Sequence, residues 1–277
     1  MTCPDCGCDE KIPGDGGYFC KDCGLELDEI VISSKGVGKA IVIQIPEINF
    51  TFNPKKELDA LRIGLKRNKL IDGWQKILGF NLNGPLKPEL KPRALELITK
   101  AYERNRDVLL KSRDQIETSW KKVNNKFFFE VENILDIKWP SYEYDAFLSL
   151  SIKYGIHNSP RNYIIIQQDS SNLSNYVIAH ELYNIIHRSY VTRFFKEKFE
   201  DIDKDLIKII ATFILLDSDE LKKIFPEMKF TLEMYHNQKY KDMASLIHPL
   251  WTNRESFKEF MINSYKALKH EKTWVSY

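Results

Sequence analysis

The stretch "NYIIIQQDSSNLSNYVIAHELYNIIHRSY", residues 162–190, decides how this chain is read. Tyr163 to Gln167 is a short, nearly continuous apolar run, the pattern of a strand covered on both faces. "DSSNLSN" then supplies the Asp, Ser and Asn residues that cap helices. From Tyr176 onward, Val177, Ile178, Leu182, Ile185 and Ile186 spread around a helical wheel. They predict a helix buried over much of its surface, with His180, Asn184 and His187 gathered along one stripe.

His180 and Glu181 are the first half of an H-E-x-x-H pattern. In that pattern two histidines one turn apart chelate zinc, and the glutamate serves as general base for the metal-bound water. Here the second position holds Asn184, whose amide oxygen is a neutral, weak donor for zinc compared with imidazole. His187 does not replace it. Seven residues separate it from His180, about 10 Å along a helix axis, while each zinc–nitrogen bond spans only about 2 Å.

The strand ahead of the helix, with "AHEL" and then "IIHR", resembles the gluzincin metallopeptidases, particularly their small archaeal members, the minigluzincins. The likeness covers roughly residues 136–225. It implies a zincin-like domain in which His180 holds the metal, Glu181 is the catalytic base and a downstream helix supplies a glutamate ligand. In "EDIDKDLIKIIATFILLDSDELKKIF" the acids on offer are Glu200, Asp201, Asp203, Asp205, Asp217, Asp219 and Glu220, most of them the shorter aspartate. A second metal would therefore fall to His180, Asn184 and an acid such as Asp205. The expectation is a degenerate site without a firmly held metal, in a body without peptidase activity. The alternative is an active zinc-dependent peptidase using His180 and Glu181.

The N-terminus carries a separate signal. "CPDCGCDEKIPGDGGYFCKDCG" contains the pairs Cys3/Cys6 and Cys20/Cys23, separated by thirteen residues that allow a hairpin. Four thiolates brought together in this way suit a structural zinc, and the metal would supply most of the fold energy of so short a segment. Cys8 is left over. "YFCKDCGLELDE" resembles the zinc ribbon of archaeal transcription initiation factor B and its eukaryotic relatives, over about the first thirty residues. That likeness implies a ribbon able to dock on a protein partner, the transcription machinery or nucleic acid. A zinc-ribbon protein that binds nucleic acid is thus a third reading.

The expected organisation is a ribbon at 1–32, a linker with short strands at 33–57, a helical region at 58–135 and the zincin-like domain at 136–277. The fold class is α+β and helix-rich. "SSKGVGK" at 33–39 reads as linker, and "AIVIQIPEINFTF" as one or two strands edged by Pro46. A long amphipathic segment runs from Arg93 to Leu135, its charges of mixed sign and therefore read as a solvated face. "YEYDAFLSLSIKYG" and "RNYIIIQQ" read as strands separated by a turn at "IHNSP". His157 and His236 are candidate remote ligands, each read first as a loop or surface histidine.

Composition bounds the rest. With 277 residues, 43% apolar and 12% aromatic, the chain is long and apolar enough for a folded core. A formal charge of +2 selects no polyanionic partner. No signal peptide is expected at the start, and the most apolar run, "IIATFILL" at 209–216, is too short to span a bilayer. All five cysteines fall within the first 23 residues, a clustering that suits metal binding in a reducing compartment. A cytoplasmic protein away from membranes is expected. No nucleophile elbow, phosphate loop or dinucleotide fingerprint is present.

Overall fold

The structure is a computed structural model that describes residues 11–14, 17–20, 26–27, 45–67, 88–153, 155–168, 173–194, 200–226 and 238–270. Near the N-terminus, β1 (Lys11–Gly14), β2 (Gly17–Cys20) and β3 (Glu26–Leu27) form an antiparallel sheet in that order. β1 and β2 are the hairpin between the two cysteine pairs, with Lys11 opposite Cys20. Cys3, Cys6, Cys8, Cys23, the side chain of Cys20 and the segment 33–39 lie outside the described residues.

The body is helix-rich α+β, built on a second sheet of four strands. β4 (Glu47–Thr51) begins directly after Pro46, at the strand entry where no ladder N–H is needed. Asn53 then accepts a hydrogen bond from the Lys55 N–H at 2.9 Å, capping α1 (Pro54–Arg67), which has proline at its first position.

The single amphipathic segment expected over 93–135 is three helices: α2 (Lys91–Arg104), α3 (Arg106–Lys121) and α4 (Asn124–Leu135). Their apolar periodicity runs through both breaks, so it does not report them. At the first break both the backbone N–H and the side-chain amide of Asn105 bond to the Ala101 carbonyl, at 3.1 and 2.7 Å, and close α2. At the second, the Val123 N–H bonds to Trp120 O at 2.9 Å, and the Trp120 indole N–H donates to Asn124 at 2.7 Å.

The remaining strands are β5 (Glu143–Ser149), β6 (Gly155–Asn158) and β7 (Tyr163–Gln167). The spatial order is β4-β5-β7-β6, with β4, β5 and β7 parallel and β6 antiparallel to β7. The segment "IHNSP", expected as a turn, supplies most of edge strand β6. Helices α5 (Leu173–Phe194), α6 (Glu200–Asp217), α7 (Gln238–Thr252) and α8 (Phe257–His270) complete the body.

Both faces of the sheet are covered at β7, as its apolar run required. On one side Phe50, Tyr144, Ala146, Leu148, Ile164 and Ile166 share a core with Trp120 of α3, Phe128 of α4 and the buried faces of α5 to α8. On the other, Phe147, Tyr163 and Ile165 pack on Ala60 of α1, and Leu61, Ala94 and Ile98 join α1 to α2. The run at 209–216 lies buried within α6, and no helix among the described residues is long and apolar enough to cross a membrane.

Where α1 and α2 meet the end of β5, a carboxylate is sealed inside. Glu57 is 1% exposed. It accepts hydrogen bonds from Tyr102 Oη at 2.6 Å, Ser149 Oγ at 2.8 Å and the Leu150 N–H at 3.2 Å, and Ser151 adds a further one. Burial outweighs these bonds and raises its pKa above the ordinary 4.5.

Candidate functional site

The buried helix expected after β7 is α5, and it carries Glu181, Asn184 and His187 into the interior; residues 169–172, expected to cap it, lie outside the described residues. β7 lies beside β6, whose register sets His157 opposite Ile164. β6 crosses α5 at Gly155. A Cβ there would sit 2.6 Å from Glu181 Cγ, 2.9 Å from Val177 Cγ1 and 3.0 Å from Glu181 Oε1. Glycine is thus what allows strand and helix to approach closely enough for Glu181 to reach β6.

Two residues after Gly155, His157 points its Nδ1 at Glu181 Oε2, 2.8 Å away. With a carboxylate as acceptor, the ring carries a proton on Nδ1. Glu181 is 5% exposed, while a quarter of the His157 side chain meets solvent. Asn184, 6% exposed, donates its amide N–H to the same Glu181 oxygen at 3.4 Å. The opposite assignment of the amide would turn its oxygen toward a carboxylate oxygen, which is repulsive.

The stripe expected from helical spacing therefore resolves into three separate contacts, Asn184 being the one that joins Glu181. His187 is fully buried and bonds through Nδ1 to Tyr183 Oη at 2.8 Å, a contact internal to α5. His180 is half-buried, with its ring centroid 6.0 Å from that of Tyr176. Tyr176 is hydrogen-bonded to Thr212 of α6 and packs edge-on against Phe225 at 5.8 Å, and burial raises its pKa.

Of the downstream acids, Asp205 lies on α6 with its side chain outside the described residues, as are the side chains of Glu200, Asp201 and Asp203. Asp217 pairs with His248 of α7 at 2.9 Å, and Asp219 pairs with Lys222. His236 also lies outside the described residues.

The donor set around Glu181 does not fit the zinc chemistry of an intact H-E-x-x-H helix. The residue at the second ligand position, Asn184, turns its N–H toward the glutamate and has only a buried amide oxygen, a weak donor for zinc, to offer a metal. One of the two Glu181 oxygens, Oε2, is bonded to both His157 and Asn184. Among the described residues no three of His, Cys, Asp and Glu are grouped to hold a metal ion. The arrangement instead orients an imidazole: Glu181 fixes the His157 tautomer, leaving Nε2 as the ring's other nitrogen on a partly exposed strand edge.

The sequence does not mark Gly155 or Tyr176, and it places His157 in a loop rather than on a strand beside Glu181. A faint signal existed for Gly155 and His157, since "GIHN" places an apolar β-branched residue between a glycine and a polar residue, the alternation of a short strand. The chain matches no family model, no curated protein and no solved structure.

Proposed function

We propose that the chain is a cytoplasmic zinc-ribbon protein whose body is a metallopeptidase-like domain turned into a catalytically silent binding or regulatory module. The observation that carries this reading is the engagement of Glu181, whose carboxylate is bonded by His157 and by the Asn184 amide rather than left to face a metal-bound water. The succession of the buried strand β7 and the buried helix α5 supports the zincin-like part. The β1–β2 hairpin between two C-x-x-C pairs supports a ribbon in which Cys3, Cys6, Cys20 and Cys23 hold one structural zinc. Through that ribbon the protein docks on a partner, with the transcription machinery as the class its sequence resembles.

Elemental analysis of the purified chain tests the reading. One zinc per chain is expected, lost when Cys20 and Cys23 are changed to serine and retained in His180→Ala, with no cleavage of peptide substrates. Two zincs per chain, one of them removed by His180→Ala, together with proteolysis abolished by Glu181→Gln, would establish the active peptidase instead.

A further inference from the structure

The sheet has two edges, and the one remote from α5 carries an unusual charge arrangement. In the parallel register of β4 and β5, Glu47 stands opposite Glu143 and Asn49 opposite Asp145, all four exposed on one face. Like charges placed directly across two strands repel. Asn49 donates to Asp145 at 3.3 Å, but nothing of opposite charge lies between the two glutamates in the register.

A recess of about 720 Å³ follows the outer side of β4, bounded on the far side by Glu117, Trp120 and Lys121 of α3. Its described lining holds four carboxylates, Glu47, Glu117, Glu143 and Asp145, against one ammonium, Lys121. That ammonium is bound to Glu117 at 2.8 Å, and its pKa is raised by Glu117 and, more weakly, by Glu47. Such a rim repels nucleic acid and attracts cations.

The backbone adds direction. The Glu47 N–H donates to Tyr142 O at 2.9 Å, so the main-chain groups of Glu47, Asn49 and Thr51 face β5. Those of Ile48 and Phe50 consequently face outward into the recess. No strand among the described residues pairs with that edge.

We propose that this edge binds an extended, lysine- or arginine-rich segment of a partner protein by strand addition. The Ile48 and Phe50 N–H and C=O groups make the ladder. Cationic side chains at alternate positions lie beside Glu47 and reach across Asn49 toward Asp145 on the outer face, and they relieve the Glu47–Glu143 repulsion. The intervening apolar residues turn inward beside Ile48 and Trp120. Basic–apolar–basic is therefore the pattern this surface selects.

The test uses the full chain and a short labelled peptide alternating lysine and valine, followed by fluorescence anisotropy. Saturable binding is expected, with amide exchange slowed at Ile48 and Phe50. Affinity should drop about tenfold or more in the Glu47→Lys, Asp145→Lys double variant, and in a peptide N-methylated at the amides that would pair. A glutamate–valine peptide should not bind. Absence of binding, unchanged exchange at Ile48 and Phe50, or equal affinity of the N-methylated peptide would each overturn strand addition. Undiminished binding by the charge-reversed variant would overturn the electrostatic part.

Discussion

Glu57 and Glu181 are both buried carboxylates at helix–sheet contacts, 1% and 5% exposed, yet their surroundings differ in kind. Glu57 is ringed by neutral donors from three separate segments: Tyr102 of α2, Ser149 of β5, and Leu150 and Ser151 beyond it. Glu181 has a titratable partner, His157, itself a quarter exposed on a sheet edge, and a long bond of 3.4 Å from Asn184. A carboxylate satisfied on all sides by groups that cannot leave is a structural fastener. One whose main partner reaches solvent can exchange that partner for something else. The contrast assigns the candidate site to the α5–β6 side and the clamp to the α1–α2 side.

Truncating each carboxylate probes that contrast with the largest effect. Glu57→Ala takes the acceptor from the Leu150 N–H and the Ser149 and Ser151 hydroxyls inside the protein, while Tyr102 turns to Leu148 O, and should cost about 3 kcal/mol or more, since each unsatisfied buried group costs about 1–3 kcal/mol. Glu181→Ala orphans the Asn184 N–H, but His157 rehydrates, so about 1 kcal/mol is expected. Urea unfolding of the two variants measures both. Equal losses would erase the distinction between clamp and site.

A smaller effect belongs to the strand–helix approach. Gly155→Ala drives a methyl to within 2.6 Å of Glu181 Cγ and 2.9 Å of Val177 Cγ1. Overpacking of this kind costs about 1–3 kcal/mol. Because one of the atoms struck belongs to Glu181, the His157 ring resonances should shift with the stability. Lost stability with an unchanged His157 environment would mean that β6 moves away bodily and that the pair does not depend on the glycine.

What the sequence discloses follows what hydrophobic period encodes. β7 and α5 are legible because a continuous apolar run and an all-round apolar helix each require burial. β6 is not, because four residues containing a glycine and a histidine resemble a turn until a neighbouring strand is there to pair with them. The breaks in the 93–135 segment are closed by Asn105 and Val123, neither of which interrupts the apolar period. Glu57 is the least legible of all. An acid in the first turn of a helix is ordinary for its favourable dipole interaction, and only the packing of α2 across α1 reveals that it is sealed. His187 shows the converse, a polar residue on the expected stripe whose partner, Tyr183, is one turn away on the same helix.

The pH dependence of Glu57 is the finest of these distinctions. Tyr102 Oη lies 2.6 Å from Glu57 Oε2 and 2.9 Å from Leu148 O, but it carries one proton. If Glu57 is ionised, the hydroxyl faces two acceptors and serves one of them fully. If Glu57 keeps its proton, the carboxyl donates to Tyr102 Oη, which donates on to Leu148 O, and both bonds are made. Burial favours the same neutral form by raising the Glu57 pKa above 4.5. A folded-state pKa above the unfolded value means that the unfolded chain releases the proton first. The stabilisation is therefore complete below pH 4.5 and is lost as pH rises toward the folded-state value. Each tenfold difference in proton affinity between the two states corresponds to about 1.4 kcal/mol. Glu57→Gln keeps an uncharged group that donates to Tyr102 and accepts from Ser149 and Ser151, although the Leu150 N–H then faces the amide nitrogen. The variant should thus be somewhat less stable than the wild type at acid pH, and the gap should narrow or reverse as pH rises, other titrations cancelling in the difference. A gap that stays constant or widens with pH would show that Glu57 is held as a carboxylate, with Tyr102 committed to it and Leu148 O served by another donor.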